Sequence, residues 1–275
     1  MGTPHSDHSE TNQPLLSFDG ISQSFASPKG KGQLDVLRDL SFAVRANQFT
    51  AIVGPSGCGK STLLRLAAGL DRPSGGTVKF EDQQVTGVNP DVGFITQQAN
   101  LFPWFTLEQN VAFPLVVQRR PKSERIEKVR HYLDLAGLTG FEDHYPHQLS
   151  GGMQKRGSIV RTLIYAPRVV LMDEPFGSLD AQTKMLMHND LLRLWQEQHQ
   201  TVLFVTHDLQ EAVTLADNII LLSRQPTHIK ATVEVKLPRP RNVFEPYSMP
   251  GYVETYDDVW NIFRSEVIEG DRRSG

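Results

Sequence analysis

The chain has one cysteine, Cys58, in 275 residues, so no intrachain disulfide can form and the composition fits a reducing compartment. It has no run approaching the ~20 apolar residues that cross a bilayer as a helix. Its longest apolar patches, such as Asn218 to Leu222 with its flanks, are strand-sized. The opening residues show no secretory leader pattern. If the chain works at a membrane, other chains supply the spanning helices. Neither charge is in large excess, the formal net charge being −3, which gives no overall case for nucleic acid as a partner. There is no heptad run and no Cys-x-x-Cys pair, which removes a long coiled coil and a zinc ribbon. His144 and His147 are three apart, but Pro146 between them breaks the helical spacing of a metal pair, and both read as loop residues. With 39% hydrophobic residues the chain can bury one large core or two modest ones.

What is present begins with Gly54, Pro55, Ser56, Gly57, Cys58, Gly59, Lys60, Ser61 and Thr62. The apolar run Phe49 to Val53 before them reads as a buried strand, and Leu63, Leu64, Leu66, Ala67 and Ala68 after them fit one side of a helix. A glycine-rich turn from strand to helix is a phosphate cradle. Gly54, Gly57 and Gly59 let backbone N–H groups wrap the phosphates, and the positive end of the new helix adds to the attraction. Lys60 would reach the β and γ phosphates, and the Ser61 hydroxyl would sit on Mg²⁺. Cys58 reads as a small buried filler within the turn. Kinases, GTPases, helicases, recombinases and transport ATPases all use such a cradle, so later residues must decide.

Leu149, Ser150, Gly151, Gly152, Met153 and Gln154 precede a segment of helical spacing through Ile159, Val160, Leu163 and Ile164. Ser150 before two glycines again points N–H groups and a hydroxyl at an anion. One triphosphate hardly needs two cradles, unless the second serves the nucleotide of another copy. Val169 to Met172 then form a hydrophobic strand that ends in Asp173 and Glu174. A carboxylate there stands beside the phosphate site, where Asp173 can hold Mg²⁺. Glu174 is placed to orient or deprotonate the attacking water.

These residues, in this order, resemble the nucleotide-binding subunit of ATP-binding cassette transporters, and the resemblance runs from Phe25 to His207. Gly54 to Thr62 resembles the Walker A motif, Leu149 to Gln154 the signature motif and Val169 to Glu174 Walker B. Ser178-Leu179-Asp180 resembles the D-loop, Gln97 the Q-loop glutamine and His207 the switch histidine, and Phe25 falls where the family stacks an aromatic on adenine. The resemblance implies an α/β fold: a P-loop NTPase core of the ABC type, with a mainly parallel sheet, an antiparallel β subdomain and a helical signature subdomain. It implies ATP and Mg²⁺ as ligands, with Gln97 joining Ser61 and Asp173 at the metal, and Glu174, His207, Gln97 and Lys60 as the catalytic set. It further implies a head-to-tail homodimer in which each ATP lies between the Walker A of one copy and Ser150 to Gly152 of the other, with Asp180 aligning the two sites. The expected place is the cytoplasmic face of the cell membrane, peripheral, beside transmembrane permease subunits and indirectly a solute-binding protein. Leu101-Phe102-Pro103-Trp104 and Leu237-Pro238-Arg239-Pro240-Arg241 resemble the nitrate, sulfonate, taurine and bicarbonate importers. Three positions depart from the pattern: Thr96 and Phe25 replace commoner aromatics, and Gly157 sits mid-helix, where it costs about 1 kcal/mol relative to Ala and predicts a looser helix.

Residues 1–14, rich in Ser, Thr, His, Asn and Pro, read as a disordered leader, 15–223 as the ATPase domain and 224–275 as a C-terminal extension. Leu16 to Phe25 and Leu40 to Arg45 alternate as antiparallel strands. The helical subdomain spans about 98–161, with Ser123 as an N-cap and Ile126, Val129, Leu133 and Leu135 on a buried face. Ala181 to His199 reads as a helix with Met185, Leu186, Leu192 and Trp195 toward the core, and Leu209 to Ala216 as a helix between the strands Thr201 to Val205 and Asn218 to Leu222. Such alternation implies a parallel sheet covered on both faces. A closing helix around Val253 to Val267 would pack Tyr256, Trp260, Ile262 and Phe263 on the core. A soluble ABC-type ATPase of DNA repair or translation is the alternative, but such proteins carry coiled-coil or zinc insertions or two cassettes, none of which is seen; a small-molecule kinase would leave Ser150 to Gly152 unexplained.

Overall fold

The computed structural model describes residues 14–26, 30, 32–177, 179–198 and 200–271. The expected leader lies outside these residues except for Pro14, as do Ser178 of the D-loop and four residues of the loop after Ala26. The main sheet has six strands: β3 (Phe49–Val53), β6 (Val92–Ile95), β7 (Val169–Asp173), β8 (Thr201–Thr206), β9 (Asn218–Leu222) and β10 (Ile229–Glu234). Their order is β10-β9-β3-β8-β7-β6. The five from β9 to β6 are parallel, and β10 runs antiparallel on β9. A second, antiparallel sheet holds β1 (Pro14–Ala26), β2 (Gln33–Arg45), β4 (Gly75–Phe80) and β5 (Gln83–Gln84) in the order β2-β1-β4-β5.

Side chains alternate along a strand, so a sheet covered on both faces buries both alternations. Phe49, Ala51 and Val53 of β3 join Val170, Met172, Phe204 and Leu221 in one core. Ile52 joins Leu171, Leu203, Val205 and Leu222 in the other, with Leu63 and Leu64 of α1 (Lys60–Ala67) and Phe18 and Leu40 of the second sheet. The first core is closed by α2 (Leu107–Val117), α3 (Lys122–Leu135), α4 (Gly151–Leu163), α5 (Ala181–Gln198), α6 (Leu209–Leu215) and α7 (Tyr252–Asp271).

Several local expectations shift. Helix α3 begins one residue before Ser123, with Pro121 at the cap. Ile126 is exposed, whereas Val129 and Leu133 are buried as expected. On α5, Met185 and Leu186 are exposed, and the buried face runs through Met187, Leu191, Leu194 and Trp195. These lie at i, i+4, i+7 and i+8, but three consecutive apolar residues left the phase of the stripe open. Gly157 is buried, and a Cβ there would stand 2.7 Å from Leu107 Cδ1. Its missing side chain therefore lets α2 seat closely on α4. Trp260 is exposed, while Val259, Phe263 and the wholly buried Tyr252 pack α7 on the core.

The residues after 223 are woven into this architecture, since the first of their elements, β10, extends the main sheet. The Pro/Arg segment clamps the end of α6. Arg241, buried, donates to Thr214 O at 3.1 Å and Ala216 O at 2.7 Å, a cation on the unpaired carbonyls of a helix C-terminus. Arg239 donates to Asp217 Oδ1 at 2.7 Å and lies 4.3 Å over the Trp195 ring.

Candidate active site

The cradle forms where β3 turns into α1. Gly59 takes φ +102 at the N-cap of α1, and a Cβ there would come within 2.7 Å of Leu37 and 2.8 Å of Val36. No other residue meets both demands. Gly54 is constrained by space alone, because a Cβ would lie 2.7 Å from Cys58 Sγ and 3.0 Å from Leu222 Cβ. Cys58 is buried behind the loop, and burial pushes its thiol up. The cavity in front of the loop measures about 320 Å³ and is lined by Phe25, Val36, Ser56, Gly57, Gly59, Lys60, Ser61, Thr62, Glu174 and Gln225.

Lys60 is buried and curls back over its own loop, donating to Gly54 O at 2.8 Å and Pro55 O at 3.0 Å. Ser61 Oγ donates to Asp173 Oδ1 at 2.8 Å. Burial pushes the Asp173 carboxyl up against the pull of that hydrogen bond. Glu174 stands just past the end of β7 at φ +41, its N–H bonded to Val205 O at 3.1 Å. One carboxylate oxygen is 3.9 Å from Lys60 Nζ and the other 3.3 Å from His207 Nδ1. Lys60, Ser61, Asp173, Glu174 and His207 thus meet at the C-terminal ends of β3, β7 and β8, where ligands of parallel sheets collect.

Gln97 follows β6, and the space a Cβ on Gly177 would take lies 3.7 Å from Gln97 Nε2 and 3.5 Å from Glu174 Oε2. Behind it, Lys155 of α4 donates to Thr96 O at 2.6 Å and Gln97 O at 3.0 Å. Burial lowers that lysine to about 8. Lys155 was missed from the sequence, although it shares helical spacing with the buried Ile159 and Leu163. Thr96 does local work in place of an aromatic, donating to Gln98 O at 2.8 Å and accepting from Asn100 at 2.9 Å.

Ser150 caps α4 by accepting from Met153 N at 3.3 Å. Ser150, Gly151 and Gly152 do not line the cavity. A Cβ on Gly152 would lie 2.9 Å from Thr183 Cγ2, so this turn abuts the start of α5. Asp180 accepts from Thr183 N at 3.0 Å and Thr183 Oγ1 at 2.6 Å, bonds that lower its carboxyl and make it the cap of α5. Phe25 lines the cavity from β1 and is half-exposed.

A profile of the ABC transporter family matches residues 37–177. The chain belongs to that family. It is an ABC-type transport ATPase, and the cassette resembles the nitrate import ATP-binding protein NrtD of Synechocystis, at 41% identity over 87% of this chain and 92% of that protein. The aliphatic sulfonates import ATP-binding protein SsuB of Bacillus cereus is 39% identical over 82% of this chain and 88% of the other. Among solved structures, the dimeric post-hydrolysis state of the ATP-binding cassette MJ0796 bound to ADP and Pi superposes with a TM-score of 0.71 at 30% identity, covering 81% of this chain and 99% of that one.

Proposed function

We propose that the chain is the ATP-hydrolysing subunit of an importer for a small anion of the nitrate, sulfonate, taurine or bicarbonate kind. It works as a pair at the cytoplasmic face of the cell membrane, beside transmembrane permease subunits that a solute-binding protein supplies. The observation that carries the catalytic part is the convergence of Lys60, Ser61, Asp173, Glu174 and His207 at one edge of the sheet. Likeness to NrtD and SsuB supports the solute class.

In this reading Phe25 stacks on adenine, and the N–H groups of Gly54 to Thr62 hold the phosphates. Lys60 exchanges its two loop carbonyls for phosphate oxygens. Ser61 and Asp173 fit Mg²⁺, their oxygens already in contact. Mg²⁺ takes one or two carboxylates with phosphate and water rather than a full protein cage, in keeping with the lack of any larger metal-ligating cluster among the described residues. When bound, it offsets charge on the transferred phosphoryl group. Glu174 takes the proton of the attacking water while His207 holds its second oxygen, and Gln97 borders the same space. Ser150, Gly151 and Gly152, outside their own cavity, serve the nucleotide of the second copy, and Asp180 fixes the helix they abut. Beyond Gln97, Trp104 is exposed at 66% and stacks on Phe102 at 5.6 Å, with Phe105 and Phe113 behind. This aromatic ledge is the contact through which the Gln97 segment relays motion to the permease.

The chain, tagged and recovered from gently solubilised membranes, is expected to bring integral membrane proteins with it. Vesicles holding that complex are expected to take up nitrate or an alkanesulfonate only with ATP. Recovery with nucleic acid, and no membrane protein, would overturn the importer reading.

A further inference from the structure

The segment 224–227, between β9 and β10, runs along the phosphate loop, where Gln225 also borders the nucleotide cavity, and bonds carbonyls of that loop. Gln225 Nε2 donates to Gly57 O at 2.5 Å, and Thr227 Oγ1 donates to Cys58 O at 2.5 Å. Thr227 is wholly buried. Its N–H donates to Val36 O at 3.0 Å and its carbonyl accepts from Arg38 N at 3.0 Å, which fastens the segment to β2 beside the nucleotide cavity. At the other end, the Arg224 N–H donates to Glu266 Oε2 and its Nε to Glu266 O, both at 2.8 Å, on α7. Glu266 is buried and also pairs with Lys230 at 2.6 Å. A cavity of about 590 Å³ flanks the segment, lined in part by Arg38, Asp39, Pro226 and Glu266. Hydrogen bonds, rather than packing from that side, hold it in place.

A cradle grips phosphate with N–H groups, so the carbonyls of the same stretch must be turned away and kept there. An unheld peptide can rotate and aim its oxygen at the phosphates, where like charge weakens binding. We propose that segment 224–227 is a clip that keeps the phosphate loop in its anion-binding form, with Glu266 of α7 as its anchor. Gln225 and Thr227 are positioning residues for nucleotide, and the C-terminal helix thereby acts on ATP affinity. The inference rests on reading Gly54 to Thr62 as the ATP cradle.

The test measures ATP and ADP affinity, KM and kcat for the full chain and for Thr227→Val, Thr227→Ser, Gln225→Ala, Glu266→Gln and Lys60→Ala. Thr227→Val is expected to weaken both nucleotides and raise KM about fivefold, the ratio of one net hydrogen bond, with kcat within about twofold; Gln225→Ala, whose side chain also borders the cavity, is expected to weaken both nucleotides at least as much. Thr227→Ser, which keeps the hydroxyl, is expected to restore affinity. Glu266→Gln is expected to weaken binding less, and its effect combined with Thr227→Val to fall short of the product of the two, because both act through one clip. Wild-type affinity in Thr227→Val and Gln225→Ala overturns the proposal, as does a loss of kcat at unchanged KM or a failure of Thr227→Ser to restore binding. If Thr227→Val does not fold, Glu266→Gln decides, since Glu266 lies outside the lining of the nucleotide cavity and meets the segment only through Arg224. Unchanged ATP binding in Lys60→Ala would instead overturn the cradle reading itself. Loss in Lys60→Ala alone overturns only the clip.

Discussion

Glu174 is held in a backbone conformation that non-glycine residues rarely take, at φ +41. Its N–H bond to Val205 O sustains that strain and delivers the carboxylate between Lys60 and His207. Strain kept at such a point fits a group that must meet water at one angle. Glu174→Gln keeps size and hydrogen bonding but removes the base, so ATP is expected to bind with near-native affinity while turnover falls by about 10² or more. Single-turnover hydrolysis beside equilibrium binding checks it, and normal turnover would remove Glu174 from the role. Phe25 offers adenine only a ring face. Phe25→Ala is expected to weaken ATP by about 1–3 kcal/mol, the range of base stacking, and Phe25→Trp to be tolerated; unchanged affinity in the alanine variant would place the stacking elsewhere. Lys60, Ser61, Asp173 and Glu174 were legible because each stands in a contiguous motif whose spacing fixes its place. Lys155 and Gln225 were not, because their partners lie 58 and 168 residues away in the chain and only the tertiary fold brings them together.

Between elements, α5 and α6 are locked by one buried carboxylate. Glu211 accepts from Thr206 Oγ1 at 2.5 Å and pairs with Lys184 at 2.9 Å and with His188 at 3.8 Å. Burial would raise its carboxyl, but His188, Thr206 and Lys184 together bring it down from 4.5 to about 2. A carboxyl lower in the folded than in the unfolded chain adds stability that is present above the unfolded value and lost as pH falls through the folded one. The window here runs from 4.5 down to about 2. Glu211→Gln is therefore expected to flatten the acid limb of stability by one proton and to lower stability at neutral pH by about 3 kcal/mol. Urea unfolding at stepped pH measures both, and an unchanged acid limb would show that the lock does not form. The lock matters to the site because Asp208, which also bonds Lys184 at 3.3 Å, caps α6 directly after His207. The parallel strands and most helices at this scale were readable from apolar runs and turns. The strand β10 was not, although Ile229, Ala231 and Val233 alternate, because its pattern is that of a half-buried edge with little apolar bulk. The buried stripe of α5 was misphased at Met185 and Leu186 for a related reason: local hydrophobicity names the face only where polar residues bound it.

In the whole molecule, the two glycine-rich turns are carried by different cores and do not share a cavity. Gly54 to Thr62 opens into the space lined by Phe25 and Glu174, whereas Ser150 to Gly152 caps α4 against α5 and presents an exposed Ser150. The N-terminus of a helix points N–H groups and positive charge at an anion, and a second copy can bring its nucleotide to this one. Association then depends on ATP, since a ligand that binds only the closed pair stabilises it by mass action. Glu174→Gln with ATP and Mg²⁺ is expected to sediment as a dimer, and without nucleotide as a monomer. Adding Ser150→Arg is expected to abolish that dimer while leaving ATP binding to each monomer intact, because a bulky cation would fill the facing cradle without touching the chain's own cavity. Sedimentation over a concentration series, with the same proteins titrated with ATP, separates the two effects. A Glu174→Gln protein that stays monomeric at saturating ATP and the highest concentration would overturn the shared site. An ATP-dependent dimer that persists with Ser150→Arg would place the second contact on some other surface than the turn before α4.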